Sequence, residues 1–576
     1  IIMKKYIFLI AICSSISIFS QTDSKKEKTK GRLFGGFESN SQWYLNDVER
    51  EINHPEQPIR SNNYLLLNYN YGKWTAGIQA ESYAPKSLLN FNPKYEKTSL
   101  GTYYLNYKTE KIDLTAGYFY EQFGSGLLLR SWEDRSLGIN NAIRGGKIVL
   151  RPTENLSFTG LYGNQRTGFD VGKGTIYGFN SDINLSGILK MTKSDLSVGL
   201  SYVGREDKTI ILNPNFKELT NSFAGRFNYS HDSFYLNSEY NYKSEDAILY
   251  PIKISNSFVK PGSALLTNFG YTKKGVGLDV TLRRIENMNF LSERNPEVFS
   301  PEQTSIAYND RMMNFVPSLT KQHHSNLANI YVFQAQKSVS IVSENGIAKA
   351  GEIGGQIDFF YEFRKGSLLG GKYGTKIALN ASNWFNLKGD YILYPPDYKT
   401  DFFASGKKYF SDYNFEITKK FNPNLQGSLV IINQYYDHQL IAASLNVQVN
   451  SFIIAPEISY KLTTTKSIKI AAEHMWANSD RKNWAALMLE YSHNLNWSFY
   501  VSDMYNYGFD KHSNLIDDVS DQFRIHFYNL GTAYTKGSSR IALSYGRQRG
   551  GLVCAGGVCR FVPPSSGIAL SLTKSF

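Results

Sequence analysis

The chain has 576 residues, of which 14% are aromatic and 20% charged, with mean hydropathy −0.35 and a formal net charge of +13. That aromatic content excludes a disordered chain, and beyond the first twenty or so residues no apolar run reaches the roughly 18 residues a membrane-spanning helix needs. The basic excess is spread along the chain rather than gathered on one face, so nucleic acid is not the expected partner.

Residues 1–20 read as a cleaved signal peptide: Lys4 and Lys5 form the basic start, Tyr6 to Phe19 the apolar stretch, and Ser20 the small residue before the cut. Ile12 before Cys13 argues against a lipoprotein. Cleavage leaves 61 bases against 50 acids, since Lys4 and Lys5 are lost from 63, giving +11. A short periplasmic segment, residues 21–32, precedes the first strand, which leaves no room for the amino-terminal plug domain of a TonB-dependent transporter.

From residue 33 the signal is alternation. Trp74, Ala76, Ile78 and Ala80 share one parity, and Thr75, Gln79 and Glu81 the other. Ile112 to Tyr120, Leu278 to Arg283 and Arg540 to Tyr545 repeat the rhythm, apolar on one face and charged on the other. Short polar turns such as Tyr71-Gly72-Lys73, Lys108 to Lys111, His231-Asp232 and Lys536 to Ser539 alternate with longer polar connections. Upward strands are expected near residues 33, 74, 112, 155, 195, 233 and 276, so each repeat is one long hairpin. A β-propeller has a similar period but needs four short strands per repeat. The pattern predicts an all-β fold: a single transmembrane antiparallel barrel of about 24 strands over residues 33–576, with inward-folded loop segments.

Two stretches break the rhythm, 121–145 and 288–350. A barrel this wide cannot be filled by wall side chains alone. These segments are therefore the candidate plugs, with Arg130, Glu133, Asp134, Arg135 and Arg144 as candidate constriction residues and an ordinary outer loop as the alternative for each. Further on, Cys554 and Cys559, with four residues between them near the last strands of an exported chain, read as one small disulfide. The terminal strand places Ile568, Leu570, Leu572 and Phe576 on one parity. It is similar to the carboxy-terminal signal read by the barrel assembly machinery, although Lys574 departs from that pattern.

The stretches GSGLLLRSWEDRSLGINNAIRG and FVPSLTKQHHSNLANIY, and the ending from Gly550 to Phe576, resemble an uncharacterised family of outer-membrane proteins of Bacteroidota. The resemblance covers essentially the mature chain and implies a barrel, but assigns no chemistry. By association it also implies an accessory role in an outer-membrane secretion assembly as an alternative.

A catalytic reading fails on the residues available. There is no G-x-S-x-G elbow, nothing couples His231, His323, His324 or His438 to a particular nucleophile, and no metal-ligand spacing or phosphate-binding loop occurs. The expectation is a non-enzyme without cofactor or metal: a porin-like channel of the bacterial outer membrane. The alternatives are a closed scaffold or accessory subunit, then a barrel hydrolase. Its expected partners are membrane lipid and lipopolysaccharide, the assembly machinery during biogenesis, and an outer-membrane protein complex.

Overall fold

A computed structural model of the chain describes residues 30–576 apart from 90, 92, 250–253, 295–309, 343–346, 443–445, 509–523 and 556–557. The expected signal peptide, residues 1–20, lies outside the described residues. Twenty-four strands form one antiparallel sheet that closes on itself. The first strand, Arg32–Leu45, pairs with the second, Ile59–Tyr71, and also with the last, Ser565–Ser575, in register from Gly36↔Ser575 to Leu45↔Ser566. Closure matters physically, because an open edge in lipid would leave a row of backbone donors and acceptors unsatisfied.

The alternating sequence forms this ring because each parity suits one side of the wall. Trp74 and Ile78 are 47% and 44% exposed on the outside, whereas Gln79 and Glu81 on the same strand are buried inside. Leu200, Leu282, Ile357, Leu379 and Leu487 continue the apolar exterior around the ring. At the short-turn rim the pairs Trp74–Tyr107, Phe234–Tyr271 and Trp497–Tyr534 stand with ring centroids 4.8 to 4.9 Å apart, the aromatic girdle expected at a membrane interface. Strands begin at Arg32, Trp74, Ile112, Leu156, Ser194, Phe234 and Val276, within one residue of the positions read from the sequence.

The two irregular stretches leave the wall without interrupting it. Ile112–Phe119 pairs directly with Ile143–Thr153, and Val276–Glu286 pairs directly with Gly351–Phe363, so neither excursion is needed for closure. At the opposite extreme, Thr375–Leu393 and Pro396–Lys420 run 19 and 25 residues, well beyond the roughly 9 to 11 that cross a bilayer, and carry the sheet past the long-loop rim.

Phe576 completes the seam between the first and last strands. Gly35 N–H donates to the Phe576 carbonyl at 2.9 Å, and Phe576 N–H donates back to Gly35 at 3.0 Å. Leu570 and Leu572 pair with Ser41 and Ser39 on the outward parity, and Lys574 faces Phe37. Deleting Phe576 removes both terminal seam bonds, and is expected to lower the amount of heat-modifiable barrel recovered in outer membranes while leaving export across the inner membrane intact. Normal membrane levels of the truncated chain would count against this.

Candidate functional site

The lumen is built by the two excursions knitted to each other and to the inward wall. Between them, Arg130 N–H donates to the Met313 carbonyl at 2.7 Å and Phe315 N–H to the Gly126 carbonyl at 2.8 Å. Asn141 Nδ2 reaches Met312 O at 2.9 Å, and Asn314 Nδ2 reaches Leu127 O at 3.2 Å. Gly126 turns at φ +91°, a conformation a side chain disfavours, with Arg130 and Phe315 close against it. The leucine run that makes this stretch unlike a surface loop is the reason it packs inward. Leu127, Leu128 and Leu129 are at most 1% exposed; Leu128 and Leu129 lie with Phe123, Phe290 and Met313 against inward Ile143, Leu161, Ile176 and Val203 of the wall. Farther round, Leu327, Tyr331 and Phe333 pack on inward Trp384, Phe410, Ile432 and Met475.

Charge does the tethering. Glu473 on the wall accepts Ser325 Oγ at 2.7 Å and the backbone N–H groups of Asn326 and Leu327 at 3.0 and 2.9 Å, capping the turn that carries the apolar anchors. His323 Nε2 stands 2.9 Å from Asp412, Lys321 Nζ 2.7 Å from Glu416, and the Tyr331 hydroxyl donates to Asp480 at 2.8 Å. On other strands, Arg294 Nε donates to Asp246 at 2.6 Å beside Arg205, whose Nη2 reaches the other Asp246 oxygen at 2.6 Å. Arg283 and Glu352 form a fully buried pair that also receives Gln336 N–H from the second excursion. Burial pushes Lys337 and Lys349 of that excursion down to about 8, with Glu352 acting against the fall. The buried arginines persist as charges because carboxylates meet them, Glu352 for Arg283 and Asp246 for Arg205 and Arg294.

The constriction candidates separate into three environments. Arg135 Nη1 donates to Glu38 at 2.7 Å on the first strand, its Nε donates to Glu133 at 3.2 Å, and its guanidinium lies 4.4 Å over the Tyr64 ring. Burial alone lowers the proton affinity of that guanidinium, but Glu133 and Glu38 hold it above the usual arginine range. Glu133 also accepts Gln79 Nε2 at 2.9 Å. Asp134 accepts Ser136 Oγ at 2.6 Å and Leu137 N–H at 3.0 Å, shaping the local turn. Arg130 stacks between Trp132 and Phe315, 4.7 and 4.0 Å from their centroids, and burial lowers its proton affinity. Arg144 does not belong with them. The wall resumes at Ile143, which takes the inward position, so strand alternation turns Arg144 outward and exposed, opposite Tyr118. The structure thus corrects the placement of Arg144 in the lumen.

Among the described residues, two cavities lie beside the seam. The upper, about 750 Å³, is bounded by Gln42 and Tyr44 of the first strand, by Ser136, and by the 318–333 stretch of the second excursion. The lower, about 660 Å³, is bounded by Arg32, Phe34, Glu38, Asn68, Arg135 and Thr573 toward the short-turn end. Both therefore lie along the first strand, and adjacent residues Ser136 and Arg135 front one each. Glu38 and Gln42 are four residues apart on that strand, about 13 Å at strand rise, which sets the axial offset between the two cavities.

Sequence reasoning did not single out Arg166, Asp246, Glu352 and Glu473, and it named Glu81 only for its parity. Arg166 is fully buried and meets both Glu81 oxygens at 2.8 and 2.7 Å. Each occupies an inward parity position, and a charge there was the available signal. The histidines considered for catalysis are placed apart: His231 Nδ1 is 2.7 Å from Ser194 Oγ at a turn, and His323 serves Asp412. Among the described residues no group of three or more His, Cys, Asp or Glu could hold a metal ion. Backbone register sets Cys554 directly opposite Cys559 in a small hairpin, Gly551–Ala555 against Val558–Val562; their side chains lie outside the described residues.

A closed ring with an apolar exterior, an aromatic rim and an occupied lumen is a transmembrane β-barrel of the outer-membrane type. The chain belongs to DUF6029, a family of unknown function, whose profile matches residues 3–576. Among solved structures it is similar to the copper transporter OprC, with 10% identity, TM-score 0.41, and coverage of 97% of this chain and 82% of that one. It is similar to the P pilus usher (PapC) translocation pore, with 10% identity, TM-score 0.42, and coverage of 94% and 99%. The siderophore receptor PirA from Pseudomonas aeruginosa gives 9% identity, TM-score 0.39, and coverage of 96% and 81%. No curated protein matches the chain.

Proposed function

We propose that this protein is a porin-like channel of the bacterial outer membrane, held closed by its two inward segments, with a solute route along the seam interrupted at Arg135. The observation that carries the reading is the pair of cavities stacked along the first strand and divided at Arg135 and Ser136. A barrel built only as a wall plug would have no reason to keep both. Arg135 is the bolt: its bonds to Glu38 and Glu133 tie the excursion to the first strand across the route. Replacing it with Gln shortens the side chain and removes the charge without touching the leucine anchors. Wild-type protein in planar bilayers is expected to pass little ion current, and Arg135→Gln to pass several-fold more. Equal, negligible conductance in wild type, Arg135→Gln and Glu38→Gln sinks the channel reading.

A second reading, a closed scaffold or accessory subunit, is supported by the apolar packing of Leu327, Tyr331 and Phe333, which resembles a folded core more than a mobile gate. Copurification from native membranes without overexpression separates the two. Export through a cleaved leader at Ser20, insertion by the barrel assembly machinery through Leu570, Leu572 and Phe576, contact of the basic loops with lipopolysaccharide, and an origin in Bacteroidota complete the proposal. Neither a cofactor nor catalysis is part of it. The opposed register of Cys554 and Cys559 supports a disulfide closing a small hairpin on the outer face. It staples only local loop shape, so exchanging both for Ser is expected to leave a heat-modifiable barrel. Alkylation without prior reduction should label neither cysteine of the wild type; failed insertion of the double variant would show that the hairpin does more.

A further inference from the structure

The upper cavity joins aromatic walls to one cation that no described carboxylate meets. Tyr44, Phe333, Phe410 and Phe527 border it. So do four basic side chains, three of which have a carboxylate partner: Lys321 with Glu416 at 2.7 Å, His323 with Asp412 at 2.9 Å, and Arg547 with Asp47 at 2.7 Å. Arg549 differs. It is half-buried just past the end of the strand Ser539–Gln548, and no described carboxylate pairs with its guanidinium.

Its surroundings add positive charge. Arg50 reaches under it to donate to the carbonyls of Gln548 and Arg549 itself, at 3.0 and 3.2 Å. Burial and then Arg481 push the Arg549 guanidinium down to about 10, with Tyr331 and Asp480 opposing and Arg50 contributing further. A planar guanidinium in a partly desolvated pocket is suited to a two-oxygen acid group, and aromatic walls to the apolar body that carries it. A volume of about 750 Å³ lies within the range of small-molecule sites.

We propose that the upper cavity is the binding vestibule for an organic anion, a carboxylate or phosphate ester with an apolar or aromatic body, and that Arg549 pairs with its acid group. This names the solute class of the proposed channel and rests on that reading for its transport meaning, though binding can be measured without it.

The full chain in detergent is heated with benzoate, phenyl phosphate or neutral benzyl alcohol at matched ionic strength, and unfolding is followed by loss of the heat-modifiable band. The anions are expected to raise the unfolding temperature of wild type in a saturable way, and benzyl alcohol to leave it unchanged. Arg549→Gln should abolish the shift and Arg549→Lys retain part of it. Because the change removes one of three neighbouring positive charges, Arg549→Gln should fold at least as well as wild type. Should it fail to fold, protection of Arg549 in the wild type from phenylglyoxal by benzoate gives the same answer. Equal shifts in wild type and Arg549→Gln, no shift with either anion, or unprotected Arg549 would overturn the inference. Conductance in Arg135→Gln without anion binding leaves the channel and removes the vestibule. An Arg549-dependent shift without conductance in any variant leaves the site and removes the channel.

Discussion

Removing residues 125–140 is expected to destabilise the barrel rather than simply unblock it. The deletion takes out Leu127, Leu128, Leu129 and Leu137, each at most 1% exposed. At roughly 1.5 to 3 kcal/mol for each buried leucine, the loss is about 6 to 12 kcal/mol, comparable with the whole stability of an ordinary domain. It also strands partners. The Met313 and Gly126 backbone bonds to Arg130 and Phe315 vanish, and Glu239 loses Ser125 N–H, which it accepts at 2.8 Å. Wall strands Ile112–Phe119 and Ile143–Thr153 still pair, so some ring should form. The measurement is the temperature at which the folded band is lost on semi-native gels, together with the yield in outer membranes. A deletion variant as heat-resistant as wild type would show that the segment hangs in the lumen without supporting the wall. A large conductance from such a variant would then be a true plug removal. Arg135→Gln tests the route with the packing kept, which is why it is the cleaner electrical experiment.

How much of this was legible beforehand follows from the range of each interaction. Strand starts at Trp74, Ile112 and Val276 were legible because alternation and turn chemistry are local, decided over a few residues. The leucine run at 127–129 was also visible, as were the charges around it. Their partners were not. Arg166 meets Glu81 across 85 positions, and Glu473 meets Ser325 across 148, so both pairings exist only once the ring has closed. Arg144 illustrates a finer failure. In the sequence it is one more arginine of an irregular stretch, and only the strand resuming at Ile143 decides that it faces out. The turn between Phe363 and Thr375 carries no local mark in the sequence, because it is long enough to read as an outer loop. Arg549 carried no signal at all, since what distinguishes it is the absence of a carboxylate partner among the described residues.

Glu352→Ala is expected to be the most damaging single substitution in the lumen. Glu352 and Arg283 are each fully buried, Arg283 Nε donates to Glu352 at 3.1 Å, and its guanidinium lies 4.7 Å over the Trp384 ring. The second Glu352 oxygen takes the Tyr409 hydroxyl and Gln336 N–H. Cutting the carboxylate leaves a buried guanidinium and two donors without their acceptor, a loss of about 3 to 5 kcal/mol. The double variant Arg283→Met, Glu352→Leu removes both charges and should recover most of that loss, because well-packed apolar groups replace a buried pair at little cost. A second signature comes from Lys337 and Lys349, which burial holds at about 8 against 10.5 for a free lysine, with Glu352 raising them. A base whose folded value is depressed binds fewer protons folded than unfolded between those values, so stability rises with pH through that window and the penalty is complete below about 8. Losing Glu352 lowers the folded values further, so in Glu352→Ala the rise should begin below pH 8, whereas in wild type it begins near 8. Tyrosine ionisation confines the useful range to below about pH 10. Unfolding midpoints of the three proteins from pH 6 upward decide the matter: a single variant matching wild type at every pH would mean that Glu352 does not hold the second excursion to the wall.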